Sequence, residues 1–236
     1  MAPSLLSNFE VGKRLEGKVA LITGAAEGFG ACIARVFVNH GAKANWVNLF
    51  GDNLGSQNAT FIYGDVTNEV DMENAINPTI EKHGKLDIMI KNAGIVDDPK
   101  PKILDNHLSD FERVMRVNVA GVFLGIKHAA RAMISVKSST IINLGTIINS
   151  SWLLQFQACC CRVDQERSCG AREAWDKDGE TRAITTLEGV VLQQEDLADA
   201  AVYMASDEAR FMSGHDLKLY GGFTVINPSF GLFSKS

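Results

Sequence analysis

Residues 23–30, "TGAAEGFG", place Gly24, Gly28 and Gly30 at a spacing that lets a backbone turn tightly and lets a pyrophosphate approach it. Residues 29–41, "FGACIARVFVNHG", repeat Ile33, Val36 and Phe37 at helical spacing and end on a plausible glycine cap, Gly41. The turn would therefore present a phosphate to a helix N-terminus, where backbone N–H groups have no partner of their own. Glycine spacing of this kind also serves ordinary strand-to-helix turns. A second stretch rich in reactive side chains is residues 150–180, "SSWLLQFQACCCRVDQERSCGAREAWDKDGE", which holds four of the five cysteines of the chain. Adjacent cysteines cannot readily converge on one tetrahedral ion, and Cys-x-x-Cys pairing is absent, so no metal site is expected. A cysteine nucleophile needs a neighbouring base, and this stretch contains no histidine.

The elements that must position the glycine turn follow from short apolar runs. Residues 18–24, "KVALITG", read as a strand buried on both faces, and residues 42–49, 59–66, 86–94 and 139–145 supply four more strand candidates. Between them, residues 68–83 and 111–134 show helical patterning, with Pro78 expected to kink or shorten the first. Strands alternating with helices imply βαβ units and a doubly wound parallel sheet of Rossmann-like type, in a single α/β domain.

Composition is consistent with this. The chain has 236 residues, 46% of them hydrophobic and 22% charged, which is a globular balance. A formal net charge of −5 argues against nucleic acid as a partner. No apolar run reaches membrane-spanning length, and the N-terminus lacks the apolar core of a secretory signal. An odd number of cysteines without framework spacing points to a reducing compartment, so a cytoplasmic location is expected.

Three further stretches share the order and spacing of one family: "GDVTNE" at 64–69, "NAG" at 92–94, and "RVNVAGVFLGIKHAARAM" at 116–133. With the glycine turn they resemble the short-chain dehydrogenase/reductase family over residues 17–145, and the resemblance resumes at 187. The closest likeness is to plant NAD-dependent alcohol dehydrogenases of secondary metabolism, of the secoisolariciresinol, xanthoxin and momilactone A synthase types. It implies an oxidoreductase that moves a hydride between NAD(H) and a secondary alcohol or ketone, commonly as a homo-oligomer. Carried onto this chain, Gly24, Gly28, Phe29 and Gly30 would line the pyrophosphate. Asp65 and Val66 would meet the adenine, and Asn92, Ala93 and Gly94 the nicotinamide-side ribose. Two positions depart from the pattern. Lys91 stands where the family has another asparagine. Asn48 stands where NAD-preferring members carry an acid, which accepts hydrogen bonds from the ribose and repels a 2′-phosphate. Asn48 keeps an acceptor without the repulsion, Asp52 could substitute for it, and Asn48 equally suits a solvated strand end. NAD is the expected cofactor, with NADP open.

The resemblance also implies four catalytic side chains. Asn118 matches the asparagine that anchors a relay water, and Thr146 stands at the serine that holds the substrate oxygen. The tyrosine acid/base and the lysine four residues after it have no counterpart. The three tyrosines are Tyr63, Tyr203 and Tyr220, and four residues beyond them stand Thr67, Asp207 and Thr224. A phenol near pH 10 is a poor base without a cation to stabilise the phenolate. A shift in reading frame accounts for the gap. Codons allowed for residues 158–177, read one base later, give HAVVGLTKNAAVELGKHGI, which resembles the family helix after that tyrosine. The same shift permits Tyr-x-x-Ser-Lys from Leu153, Phe156 and Gln157. The chain is thus expected to be family-like at 17–149, frame-shifted at 150–186 and family-like again at 187–236. The family's sixth strand is then missing, and residues 216–222, "DLKLYGG", are expected to pair directly beside "STIINLG", with residues 188–193 as the alternative neighbour.

Overall fold

The computed structural model describes residues 13–48, 59–97, 104, 107–136, 139–145, 160–162 and 192–219, with backbone only at 160–162. Five strands form a parallel sheet: β1 (Val19–Thr23), β2 (Lys43–Asn48), β3 (Ala59–Tyr63), β4 (Ile88–Lys91) and β5 (Thr140–Asn143). Their order is β3-β2-β1-β4-β5, so the chain reverses direction across the sheet between β3 and β4. Ligands of open α/β sheets bind at such a reversal, beyond the carboxyl ends of the strands. The helices are α1 (Gly28–Asn39), α2 (Glu69–His83), α3 (Leu108–Met115), α4 (Val122–Met133) and α5 (Gln194–Ala205).

Each face of the sheet is closed by helices, which is why β1 and β4 are apolar without alternation. On one face Ile22, Trp46, Ile88, Ile90 and Ile142 pack against Ile33 and Phe37 of α1 and Ala198, Ala201 and Val202 of α5. Small residues on α5 let it lie close to α1. On the other face Leu21, Val47, Met89 and Ile141 pack against Met72 and Ile76 of α2 and Leu124 and Met133 of α4.

Pro78 does not end α2. The helix runs through it to Gly84, whose left-handed φ of 77° closes the C-terminus. At the other end the Asn68 side chain accepts from Val70 N at 2.9 Å and Asp71 N at 3.4 Å. Burial of Met72, Ala75, Ile76 and Thr79 outweighs the lost proline N–H. Glu69 and Glu73 of α2 reach across to Lys127, His128 and Arg131 of α4. The span at 111–134 is longer than expected and is not one uniform helix. It starts at Leu108 and is interrupted by a π-helical turn, Arg116–Gly121.

The open edge of β5 is filled differently from the sequence-based expectation. Residues Cys160–Arg162 form a short strand, β6, antiparallel to β5, with Ile141 opposite Cys161. Residues 216–219 lie outside any strand, and 220–222 fall outside the described residues, as do 188–191. The physical reason is that β5 presents unpaired N–H and C=O groups, which any extended segment can satisfy. The chain leaving β5 is nearer in sequence than residue 216, so closing that loop costs less entropy.

At the opposite end of the strands Asp87, 6% exposed, accepts from Val19 N at 2.7 Å and pairs with Lys85 at 2.8 Å. Asp87→Ala leaves the Val19 N–H buried without an acceptor, and a loss of about 1–3 kcal/mol is expected in denaturant unfolding. Lys127, and then His128, hold the Glu69 carboxyl below its ordinary range by hydrogen bonding. A lowered folded value means that the stabilisation is present at neutral pH and is lost as pH falls through that value. The stability difference between the wild type and Glu69→Gln is therefore expected to be flat near neutrality and to shrink below the ordinary carboxylate value of 4.5. Thermal unfolding across pH 3 to 7 measures it.

Candidate dinucleotide site

The site is built where β1 and β4 end side by side. Thr23 closes β1, and its hydroxyl accepts from the backbone N–H groups of Asn92 and Ala93, both at 3.2 Å. In return the Asn92 amide donates to Thr23 O at 3.0 Å and Gly24 O at 2.8 Å. The glycine turn and the "NAG" segment are thus one hydrogen-bonded unit. Thr23 was not singled out from the sequence, although it stands in the quoted turn as the hydroxyl residue that closes the strand.

The three glycines of the turn do different work. Gly24 has φ 66°, and a Cβ there would lie 2.7 Å from Ala93 Cα. A Cβ at Gly30 would lie 2.4 Å from Gly24 O and 2.5 Å from the Asn92 amide nitrogen. Both are needed for the turn to close on the neighbouring strand. Gly28, with φ 57°, begins α1, and among the described residues no atom beyond its chain neighbours and its own helix backbone lies within 4 Å of its missing Cβ. Among the described residues, the space beside this helix N-terminus is clear, and a helix N-terminus favours an anion through its dipole and backbone N–H groups. Phe29 follows in the first turn, half-buried. The exposed Glu27 is the N-cap residue and makes no capping hydrogen bond with its side chain.

The second wall comes from the loops after β2 and β3. Asn48 ends β2, and its carbonyl accepts from Gly64 N at 3.1 Å. Asp65 N donates to the Asp71 carboxylate at 2.9 Å, while the Asp65 carboxylate accepts from Thr67 N at 2.8 Å. This fixes the loop and carries Val66 onto the π-helical turn, where a Cβ on Gly121 would lie 3.0 Å from Val66 Cγ2. Thr23, Val66, Lys91, Ala93, Gly121 and Val122 line a narrow cleft between these parts. Lys91 is 2% exposed, and a Cβ on Gly125 would lie 2.8 Å from its Cδ, so α4 approaches β4 closely only because residue 125 is glycine.

Asn118 sits in the π-helical turn. Its Oδ1 accepts from Ile95 N at 2.9 Å, and its Nδ2 donates to Ile95 O at 2.8 Å. The side chain therefore holds the backbone just after Gly94. Thr146 lies outside the described residues. Of the tyrosines, Tyr63 is 69% exposed at the end of β3, with two strands between it and β4. The Tyr203 hydroxyl, on α5, donates to Met212 Sδ at 3.3 Å. The structure brings Gly24, Gly30, Asn92, Ala93, Gly94 and Asn118 into one unit. Asp65 and Val66 form its second wall.

The short chain dehydrogenase family profile matches residues 18–152. The chain is 39% identical to borneol dehydrogenase, mitochondrial, of Lavandula x intermedia, over 94% of this chain and 96% of that one. It is 38% identical to secoisolariciresinol dehydrogenase of Forsythia intermedia, over 94% and 95%. It is 35% identical to momilactone A synthase of Oryza sativa subsp. japonica, over the same shares. The chain belongs to the short-chain dehydrogenase family. Among solved structures, the ligand-free aldohexose dehydrogenase of Thermoplasma acidophilum superposes with a TM-score of 0.72 at 21% identity, covering 92% of this chain and 98% of that one. That likeness supports the fold alone. The family is one of oxidoreductases whose members generally bind NAD(P). Among the described residues no helix is long and apolar enough to cross a membrane.

Asn118→Ala leaves both polar groups of Ile95 without their partner. It is expected to destabilise the chain by about 1–3 kcal/mol and to speed amide exchange at Ile95. Hydrogen exchange resolved by residue measures both effects, and unchanged protection at Ile95 would show that the clamp is unimportant.

Proposed function

We propose that this chain carries the framework of an NAD(H)-dependent oxidoreductase of secondary alcohols and ketones, and that this polypeptide binds the dinucleotide without turning it over. The observation that supports binding is the space that the described residues leave beside Gly28 at the N-terminus of α1, on a turn held through Thr23 and Asn92. Gly28 and Phe29 would hold the pyrophosphate through backbone N–H groups. Asp65 and Val66 would flank the adenine, and Asn92 to Gly94 the second ribose. NAD supplies a hydride acceptor, and NADH a donor. The protein's part is to bind the dinucleotide, orient it and exclude water from its reactive end.

The sequence supports the second half of the reading. Hydride transfer to or from a carbinol needs a group that takes or returns the hydroxyl proton. No Tyr-x-x-x-Lys pair occurs in the chain. Tyr63 stands exposed at the end of an outer strand, the Tyr203 hydroxyl is bonded to Met212, and Tyr220 lies outside the described residues. Asn118, whose amide is engaged by Ile95, offers no base, and Thr146 would supply at most a hydroxyl that polarises a substrate oxygen. The frame shift over 150–186 accounts for the loss, so an in-frame product of the same coding sequence would carry the reaction that this one lacks. We place the chain in the cytoplasm as a small-molecule protein of plant secondary metabolism.

Calorimetry on the full chain is expected to show weak NAD binding, and secondary alcohols offered with NAD are expected to give no NADH. Loss of the acid/base alone removes on the order of 10² to 10⁴ in rate. Turnover comparable to that of an intact family member would overturn the inactive reading. Absence of any heat of binding at millimolar NAD would overturn the dinucleotide site.

A further inference from the structure

We propose that the end of the sheet opposite the glycine turn binds an oxyanion of the sulfate and phosphate class, through Lys43, Lys82 and His83. The proposal is independent of the dinucleotide reading. The last turn of α2 carries Lys82 and His83. The Lys82 ammonium donates to Thr60 Oγ1 of β3 at 2.8 Å, which fixes that turn over the start of β3. Thr60 is in register with Asn45 of β2. Val47 and Ile62, two residues further along each strand, pack on the face that α2 covers, so Asn45 and Thr60 stand on that face too, and Lys43 with them. Lys43 and Lys82 are exposed, and His83 is half-buried. Beneath them Asn45 is 2% exposed, and its Nδ2 has no hydrogen-bond partner among the described residues. Thr79, one turn before His83, spends its hydroxyl hydrogen on Ala75 O at 2.8 Å. The seam between α2 and the two strands thus has donors left over, and a buried donor without an acceptor is costly.

The charges gathered here have one sign. Burial first, then Lys82 and Lys43, hold the His83 imidazole below its ordinary range, so both lysines lie close enough to act on it. β3 presents the neutral Thr60 at this point, and the cations of α4 pair with Glu69 and Glu73 at the other end of α2. Of the nearby acids, Glu16 pairs with Lys13 and Asp87 with Lys85, while Glu81, beside Lys82 in the chain, is exposed. Cations in the last turn of a helix complement its dipole, which accounts for Lys82 and His83 alone. It does not account for Lys43, which comes from a strand, or for the spare donor of Asn45. A dianion placed among these groups offsets the repulsion between the lysines and His83 and gives the surplus donors an acceptor. It therefore ties the C-terminal end of α2 to β2 and β3.

Sulfate is the probe, because it keeps both charges while histidine titrates. The full chain is titrated with sodium sulfate against sodium chloride at matched ionic strength, and the histidine ring resonances are followed by NMR. The His83 ring is expected to shift to saturation with sulfate, and the rings of His40, His107 and His215 to follow ionic strength only. Bound sulfate favours the imidazolium, so the His83 titration midpoint is expected to rise on binding and the affinity to increase as pH falls through it. Two unit charges about 4 Å apart in water correspond to about a fivefold change in affinity. Lys43→Gln and Lys82→Gln are each expected to weaken sulfate by about that factor or more. Both side chains are exposed, so both variants are expected to fold as wild type does. A His83 response no larger with sulfate than with chloride overturns the site. So does a midpoint that sulfate leaves in place, or an affinity that neither lysine variant changes.

Discussion

The coupling of Thr23 to Asn92 is the interaction on which the rest of the site depends. Two strands that are neighbours in the sheet end at the same height, and each then turns away into its own loop. Left alone, both ends would expose backbone groups and drift apart. The Thr23 hydroxyl takes the two N–H groups of the second loop, and the Asn92 amide takes the two carbonyls of the first. That exchange leaves no room for side chains at residues 24 and 30, which are glycines for this reason. The same closure leaves Gly28, at the start of α1, clear of the other described residues, which is the arrangement that the proposed dinucleotide reading uses.

The second support comes from the π-helical turn. An extra residue in a helix displaces the residues on either side of it, and here it places Asn118 level with Ile95 and Gly121 against Val66. One local departure from α geometry thus touches both walls of the cleft. The charged ties between α2 and α4 lie behind it. They hold together α2, which follows the loop carrying Val66, and α4, which begins at Val122.

How much of this could be read from the sequence differs by region, for physical reasons. The central strands β1 and β4 were legible because both of their faces are buried, so each reads as a short, mainly apolar run; β2 and β3 were legible from β-branched and aromatic residues flanked by turn residues. The glycine turn, "NAG" and Asn118 were legible because their spacing is fixed by the geometry they serve. Hydrogen-bond reciprocity was not legible: nothing in a threonine at a strand end says that its hydroxyl will hold another loop. The π-helical turn was hidden because one inserted residue leaves the apolar period nearly intact. The edge beside β5 was misjudged because sheet edges are promiscuous. Backbone pairing needs no particular side chains, so Cys160–Arg162 can occupy a place that residues 216–222 were expected to fill.

The division of labour along the chain is what would let a protein keep this fold without the family's proton-transfer pair, as proposed above. Everything that closes the turn onto its neighbours lies at or before Gly121 in the chain: the turn itself, the loops after β3 and β4, and the π-helical turn. Those parts hold one another by backbone bonds and by core packing on both faces of the sheet. The proton-transfer pair of the family would belong after β5, where the described residues of this chain include a three-residue strand on the sheet edge and where we propose that the reading frame changes. A replacement segment need only satisfy one row of backbone groups for the sheet to remain intact. A replacement acid and base would need a phenol and an ammonium held within about 3 Å of a reacting oxygen. The first requirement is met by almost any extended sequence and the second by almost none.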